Sequence, residues 1–232
     1  MEEFELLSLS HIIVIAICIL FVIFFPKFFL NKNKETINLL IKILVFLIFF
    51  HHFFEFYREV YISGGSWEGA LPFHLCDLSA ISIAIYFLTK NRLFFSFAFF
   101  WGIAGGGMSI LTPDTVYGFP SIDYLSNQYG HTLTLLGISI SIILLKERPY
   151  IKDIFRIFGF TTLILILIYG INHLLGSPAN YWFLIEKPYG DNLMIFFPNE
   201  PFHIFALYPI ALISCFIVYA PYFLYDRLPN RL

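Results

Sequence analysis

The sequence predicts an all-α, polytopic membrane protein with seven transmembrane helices. Of its 232 residues, 59% are hydrophobic and only 13% are charged, whereas about 25% of the residues of an average soluble domain are charged. The apolar residues are collected in runs of roughly 20, the length that an α-helix needs to cross a bilayer. The basic residues between these runs alternate regularly from loop to loop, which is typical of helices with a fixed orientation in a membrane.

Seven apolar runs are long enough to be spans, and we treat residues 1–232 as one seven-helix domain. The first run follows the acidic segment Met1-Glu2-Glu3-Phe4-Glu5. A signal peptide would carry positive charge there, so we expect this run to be retained as a span. The third and fifth runs are the weakest, because each begins with polar residues. The predicted spans are residues 9–29, 37–57, 72–89, 93–111, 131–146, 155–175 and 203–225.

The orientation follows from the lysine and arginine residues, which collect in cytoplasmic loops. If the N-terminus is outside, twelve of the 14 basic residues lie on the cytoplasmic side, and Arg58 and Lys187 lie outside. The C-terminus is then in the cytoplasm. The outer loops near residues 112–130 and 176–202 are long, and long ordered loops are often functional. We therefore expect an active site on the extracellular side of the cell membrane.

Spans 1–3 and 5–7 share their direction across the membrane, and they also share three landmarks. The matched landmarks are His11 with His131, His51-His52 with Asn172-His173, and Pro72-Phe73-His74 with Pro201-Phe202-His203. Such short matches arise easily in a sequence of biased composition, but their agreement in position along the chain favours a common origin. The pattern predicts a parallel 3+1+3 repeat.

All seven histidines fall near the predicted outer ends of spans, together with several other polar residues. Ionisable groups at membrane depth are costly, and they usually face the interior of a helix bundle or a water-filled cavity. We therefore predict one outward-facing polar chamber, with contacts to lipid headgroups as the alternative interpretation. Its supporting residues are His51, His52, Glu55, His74, Asp77, Asp114, Asn172, His173 and His203.

Three cysteines are present, and Cys76 has the surroundings of a nucleophile. It lies in the string Leu71-Pro72-Phe73-His74-Leu75-Cys76-Asp77, where Pro72 suits the first turn of a helix. A thiolate near a helix N-terminus is stabilised by the helix dipole, and a neighbouring imidazole adds to that effect. Cys18 and Cys215 lie inside apolar runs, where a cysteine behaves as a small hydrophobic residue. The alternative for Cys76 is a buried structural cysteine.

His131 opens the fifth span and is the best candidate for a general base, with Asn172 or Asp114 as the group that could orient it. The fourth span carries Gly102 and a run of three glycines at 105–107. Small residues allow membrane helices to approach closely, and a broken helix could also present backbone N–H groups to an oxyanion.

His51 and His52 precede Glu55 by four and three residues, so either histidine can share a helix face with Glu55. That spacing can support a metal site or a carboxylate that orients an imidazole. It can equally support a polar network that holds spans together. Our prediction includes no cofactor and no bound metal ion.

Several motifs resemble those of the YwaF-like bacterial integral membrane proteins, which belong with the vertebrate transmembrane protein 164 family. The resemblance covers residues 45–225. The motifs that carry it are the string ending at Cys76, the glycine-rich fourth span with Thr112-Pro113-Asp114, His131, Asn180-Tyr181 and Lys187-Pro188. The resemblance implies a seven-span fold and, for the vertebrate members, acyl transfer onto lysophospholipids. It also implies that Cys76 is the nucleophile and His131 its base.

Three functions are compatible with these observations. The first is a lipid acyltransferase or lipid hydrolase, whose partners are membrane lipids such as phospholipid or lysophospholipid. The second is a metal-dependent seven-span hydrolase, and the third is a small-solute transporter with parallel three-span repeats. The predicted polar groups gather toward one face rather than at the bilayer midplane, which favours an enzyme. No basic run indicates nucleic acid as a partner.

Overall fold

The computed structural model describes residues 2–187 and 193–228, and this part of the chain is helical. It contains nine α-helices with short π-helical and 3-10 extensions. Extended pairing occurs as an isolated antiparallel bridge between Glu3 and Tyr117. The all-α class predicted from the sequence is thus confirmed for the described residues.

The first six helices run from the N-terminus to the glycine-rich segment. They are α1 (Leu9–Phe24, continued by a 3-10 turn at Phe25–Phe29), α2 (Lys34–Tyr57, continued by a π-helical turn at Arg58–Ile62), α3 (Trp67–Ala70), α4 (Leu75–Thr89), α5 (Arg92–Trp101) and, after a π-helical turn at Gly102–Gly106, α6 (Gly107–Leu111).

Three long helices follow, with two short 3-10 turns between the last two. They are α7 (Ile122–Ile143), α8 (Ile151–Leu175) and α9 (His203–Arg227), with 3-10 turns at Tyr181–Phe183 and Leu193–Phe196. Polar side chains mark several of the helix starts. Ser8, Asn91 and Ser121 each accept a hydrogen bond from a backbone N–H group of the first turn of α1, α5 and α7, as N-cap residues do.

Five helical segments in residues 2–187 and 193–228 are long and apolar enough to cross a membrane, which fits a multi-pass membrane protein. They are Leu9–Phe29, Lys34–Ile62, Arg92–Leu111, Ile151–Leu175 and His203–Arg227. The two predicted spans outside this group are the weak third and fifth. Helix α4 is apolar but has only 15 residues, and α7 is long but carries many polar side chains.

The boundaries of these two helices differ from the prediction. Helix α4 begins at Leu75 rather than at Pro72, so that Cys76 is its second residue. Helix α7 begins at Ile122 rather than at His131. Residues 122–130 were expected in an outer loop because of their polar side chains, but Ser121 caps a helix there and those side chains bond to α6. Tertiary contacts have overridden the local polarity.

The described residues belong to two compact units. Unit 1 consists of Met1–Phe54 and Cys76–Arg148, and unit 2 of Glu55–Leu75 and Pro149–Leu232. In unit 1, α7 packs along α1 and against the helix formed by α5, the π-helical turn and α6. In unit 2, α8 packs against α9 and against the turn at Tyr181–Phe183. The core of unit 2 is built around Ile168, Ala179, Tyr181 and Leu184.

Candidate active site

Side chains of α4 meet α7 in unit 1 at Gly137, and this contact indicates the register of the two helices. A Cβ on Gly137 of α7 would lie 2.8 Å from Cγ1 of Ile83 on α4, so the two helices touch at that level. Since the helices run in the same direction, counting back about two turns along each brings Cys76 level with Gly130 and His131.

A glycine of the fourth predicted span supports the same register. A Cβ on Gly102 would lie 3.7 Å from Ser79 Oγ of α4 and 3.2 Å from Cγ2 of Thr134 of α7. Ser79 and Thr134 therefore flank Gly102 at one level. Cys76 and His131 each precede these residues by just under one helical turn. The glycine allows α4 and α7 to approach this segment from both sides.

The His131 ring is held by its own helix. Its Nδ1 lies 2.7 Å from the carbonyl oxygen of Asn127, and because a carbonyl can only accept, Nδ1 is the donor. In the neutral ring the lone pair is then on Nε2. This Nε2 atom is buried, and no described residue forms a hydrogen bond with it. The ring edge faces Gly106, where a Cβ would lie 3.4 Å from Cδ2.

Cys76 is half-buried at the start of α4, with its carbonyl oxygen accepting a hydrogen bond of 2.7 Å from Ser79 Oγ. Because His131 Nε2 has no partner among the described residues, the Cys76 thiol is not hydrogen-bonded to it in this state. The next residue, Asp77, has Oδ1 3.7 Å from His52 Nδ1. A protonated His52 would therefore offset the charge of the carboxylate beside the thiol.

His51 approaches the same level of α7 from α2. A Cβ on Gly130 would overlap the His51 ring around Nε2, so only glycine permits this contact. The ring also packs edge-on against Tyr129, with centroids 5.5 Å apart. In unit 1, His51 of α2 therefore lies against α7 at Gly130, the residue before His131, and His52 of α2 lies near Asp77, the residue after Cys76. Asp114, the remaining predicted acid of unit 1, is exposed.

The other predicted residues belong to unit 2, where several of them hold the chain in place. The Asn172 side chain is 1% exposed and pairs with the backbone of Tyr181. Its Nδ2 donates to the Tyr181 carbonyl and its Oδ1 accepts from the Tyr181 N–H, both at 2.9 Å. The expectation that Asn172 or Asp114 orients His131 was wrong, since Asn127 accepts the Nδ1 hydrogen bond.

The loop around Tyr181 is also hydrogen-bonded to the segment that precedes α4. The Tyr181 hydroxyl donates to the carbonyl of Glu68 and accepts from the N–H of Leu71. The indole N–H of Trp182 donates to the carbonyl of Phe73 at 2.8 Å. In the sequence, Tyr181 is marked only by the family resemblance, and no local pattern identifies Trp182 as a partner of this segment.

The remaining predicted residues of unit 2 have varied surroundings. His74 packs edge-on against Tyr181, and Nε2 of the buried His203 lies 2.7 Å from the carbonyl of Phe183. His173 is exposed. Glu55 Oε2 lies 3.0 Å from the Arg58 guanidinium.

Near the start of α9, Glu200 accepts the N–H of Lys187. Backbone N–H groups, its own first and then that of Lys187, hold the pKa of Glu200 below its usual range. Pro188, the second residue of the Lys187-Pro188 pair, lies outside the described residues.

The possibility of a metal site was also raised by the histidine-rich pattern. Within residues 2–187 and 193–228, no three His, Cys, Asp or Glu side chains lie close enough together to hold a metal ion. His51, His52 and Glu55 do not form such a group there.

The chain is similar to a known protein family and to a bacterial protein. The model of the TMEM164 family matches residues 6–219. An uncharacterized protein from Treponema pallidum (strain Nichols) is 28% identical over 164 residues, which cover 69% of this chain. The chain covers 66% of that relative, slightly less than two thirds of its length. No solved structure matches the chain.

Proposed function

Because the chain belongs to the TMEM164 family, whose model matches residues 6–219, we propose that it transfers or hydrolyses acyl groups of membrane phospholipids. Cys76 is the nucleophile in this proposal and His131 is the general base. The observation that carries it is the buried, unbonded Nε2 of His131, on a ring whose other nitrogen is held by Asn127. A general base needs such a free lone pair at the level of its nucleophile.

The reaction has two steps in this proposal. First, His131 Nε2 takes the thiol proton while Sγ of Cys76 attacks the ester carbonyl of a phospholipid. The tetrahedral intermediate expels the lysophospholipid alkoxide, which receives that proton, and an acyl-thioester remains on Cys76. Second, the hydroxyl of a lysophospholipid or of water loses its proton to His131 and attacks the thioester. The thiolate leaves and is reprotonated by His131.

The pairing of Asp77 with His52 supports this mechanism. A carboxylate beside Cys76 would oppose the formation of a thiolate, because like charges repel at short range. His52 Nδ1, 3.7 Å from Asp77 Oδ1, offsets that charge when the imidazole is protonated. The net field at Cys76 is then more favourable to a thiolate than the sequence around Asp77 alone suggests.

We further propose that α4 and α7 cross the membrane, which gives seven spans with the N-terminus outside and the C-terminus inside. Most of the basic residues then lie in the cytoplasm, Cys76 lies at the outer end of α4, and His131 lies about two and a half turns into α7 from its outer end. The substrate would be a lipid of the outer leaflet. The 3+1+3 repeat and the shared polar chamber stay predictions of the same arrangement.

The topology is tested with an impermeant thiol reagent on intact cells. In a background with the three native cysteines replaced, a cysteine at Val116, which is 72% exposed, should be labelled. A cysteine at Asn31, exposed in the loop between α1 and α2, should be labelled only after the cells are permeabilised. Labelling of Asn31→Cys but not Val116→Cys in intact cells would reverse the orientation.

The mechanism is tested by mass spectrometry of the intact protein after incubation with phospholipid vesicles. We expect an acyl adduct that hydroxylamine removes and that is absent from Cys76→Ser. The variants Cys18→Ser and Cys215→Ser are matched controls and should retain the adduct. If Cys76→Ser keeps full lipid-remodelling activity, the cysteine is structural and the proposed function is wrong.

A further inference from the structure

We propose that Asn127 is a positioning residue for the base His131, acting at once through its backbone and its side chain. This inference rests on the proposed function. Asn127 lies one turn before His131 on α7, and its carbonyl oxygen accepts the Nδ1 proton at 2.7 Å. Its side-chain Nδ2 donates to the carbonyl of Ser109 on α6 at 3.0 Å. One residue thus links the base to the neighbouring glycine-rich helix.

The bond from Asn127 to Ser109 is one of three side-chain hydrogen bonds to the C-terminal end of α6. The last carbonyls of a helix have no partner within it. Here three consecutive carbonyls of α6 each have a side-chain nitrogen at hydrogen-bonding distance. The pairs are Ser109 with Asn127 Nδ2 at 3.0 Å, Ile110 with Gln128 Nε2 at 3.1 Å, and Leu111 with His11 Nε2 at 2.9 Å. The end of α6 is therefore held against α7 and α1.

The position of α6 matters for His131 because the π-helical turn that precedes α6 packs against the His131 ring. Gly106, the last residue of that turn, faces the Cδ2 edge of the ring. The ring is confined between this glycine and the carbonyl of Asn127. If the bond from Asn127 to Ser109 is lost, the π-helical turn can move away and the ring can rotate. Its lone pair would then no longer be aimed at a fixed point.

Gln128 is the matched control. It makes an equivalent bond to α6, at the adjacent carbonyl of Ile110, but its own carbonyl does not hold His131. A purely structural role in closing the end of α6 predicts similar defects for Asn127→Ala and Gln128→Ala. A positioning role predicts a larger defect in turnover for Asn127→Ala.

The test measures kcat and KM for acyl transfer from phospholipid vesicles in the full-length protein. We expect Asn127→Ala to lower kcat by about 10-fold to 100-fold with KM unchanged, the size expected for a misplaced catalytic group. Gln128→Ala should lower kcat less than Asn127→Ala, because it removes an equivalent bond to α6 but leaves fixed the residue whose carbonyl holds His131. Asn127→Asp is nearly isosteric, but its carboxylate cannot donate a hydrogen bond to Ser109, so it should show the same loss of kcat. It replaces the alanine variant in the test if that variant does not fold.

A double-mutant cycle distinguishes the positioning of His131 from a general loosening of the packing around α6. If Asn127 acts through His131, then Asn127→Ala should slow the wild type but should not slow the His131→Ala variant further. Equal slowing in both backgrounds, or equal defects in the Asn127 and Gln128 variants, would overturn the inference. The acyl adduct on wild-type Cys76 is measured first. Its absence would refute the proposed function, whereas its presence with an additive cycle refutes only the role of Asn127.

Discussion

His131 and His173 make the same local contact in two different units, and their surroundings differ. In each, Nδ1 lies within hydrogen-bonding distance of the carbonyl one turn back in its own helix, at 2.7 Å from Asn127 and 2.9 Å from Tyr169. The ring of His173 is exposed and lies tilted against the ring of Tyr169, with centroids 4.4 Å apart. Nε2 of His131 is buried, with no partner among the described residues. The local contact sets the tautomer, and burial decides whether the second nitrogen is held out of water.

A second contrast separates two buried polar side chains, Asn172 of unit 2 and His131 of unit 1. In unit 2, both amide atoms of the buried Asn172 and the hydroxyl of Tyr181 have backbone partners. In unit 1, His131 retains an unsatisfied nitrogen. Buried polar groups are normally hydrogen-bonded, and an exception calls for a specific explanation such as catalysis. The Asn172 amide thus has a structural role, and the unbonded nitrogen of His131 is the feature on which its proposed role as a base rests.

The largest expected effect is the difference between the two histidines. We expect His131→Ala to slow acyl transfer by about 10²–10⁴-fold, the usual worth of a general base. His173→Ala should keep the wild-type rate, because its ring is exposed and its bond is local. Initial rates with phospholipid vesicles measure both. Equal losses in the two variants would show that the difference in burial has no bearing on activity.

A smaller effect, on stability, is expected from the polar cluster of unit 2. Asn172→Ala leaves the N–H and the carbonyl of Tyr181 without their partner, at roughly 1–3 kcal/mol for each buried group. We expect the free energy of unfolding to fall by about 2–6 kcal/mol, with the activity per folded molecule unchanged. Thermal unfolding followed by tryptophan fluorescence measures the first quantity. A loss of activity without a loss of stability would instead place Asn172 in the active site.

The smallest effect concerns the register of α4 and α7. A methyl group on Gly137 would press on Ile83 and Phe87, with its nearest contact at 2.8 Å, and overpacking of this kind costs about 1–3 kcal/mol. Gly137→Ala should therefore lower the unfolding temperature and, by displacing α4, slow acyl transfer. Gly159→Ala of α8 is the control, since a Cβ there has nothing within 4 Å. Comparable melting temperatures for the two variants would contradict the close packing.

Much of the candidate site could be selected from the sequence, but the partners within it could not. The position of Cys76 beside polar residues, and of His131 at the start of the fifth apolar run, was visible in the linear pattern. The hydrogen bonds from Asn127 and Gln128 to α6 could not be predicted, because the sequence pattern placed these two residues in an outer loop. Asn172 was predicted to support a polar chamber, whereas its buried amide pairs with the backbone of Tyr181, which lies beyond the turn that ends α8.

Composition and apolar patterning were sufficient to predict a helical, multi-pass membrane protein, and the sequence also matches the TMEM164 family. Long apolar runs leave few alternatives, because in lipid every backbone N–H and carbonyl must be satisfied within its own helix. Only the tertiary structure decided which carbonyl holds His131, that glycines bring α4 and α7 into close contact, and that the amide of Asn172 is used by Tyr181. These features depend on contacts between residues far apart in the chain, and hydrophobic patterning carries no information about them.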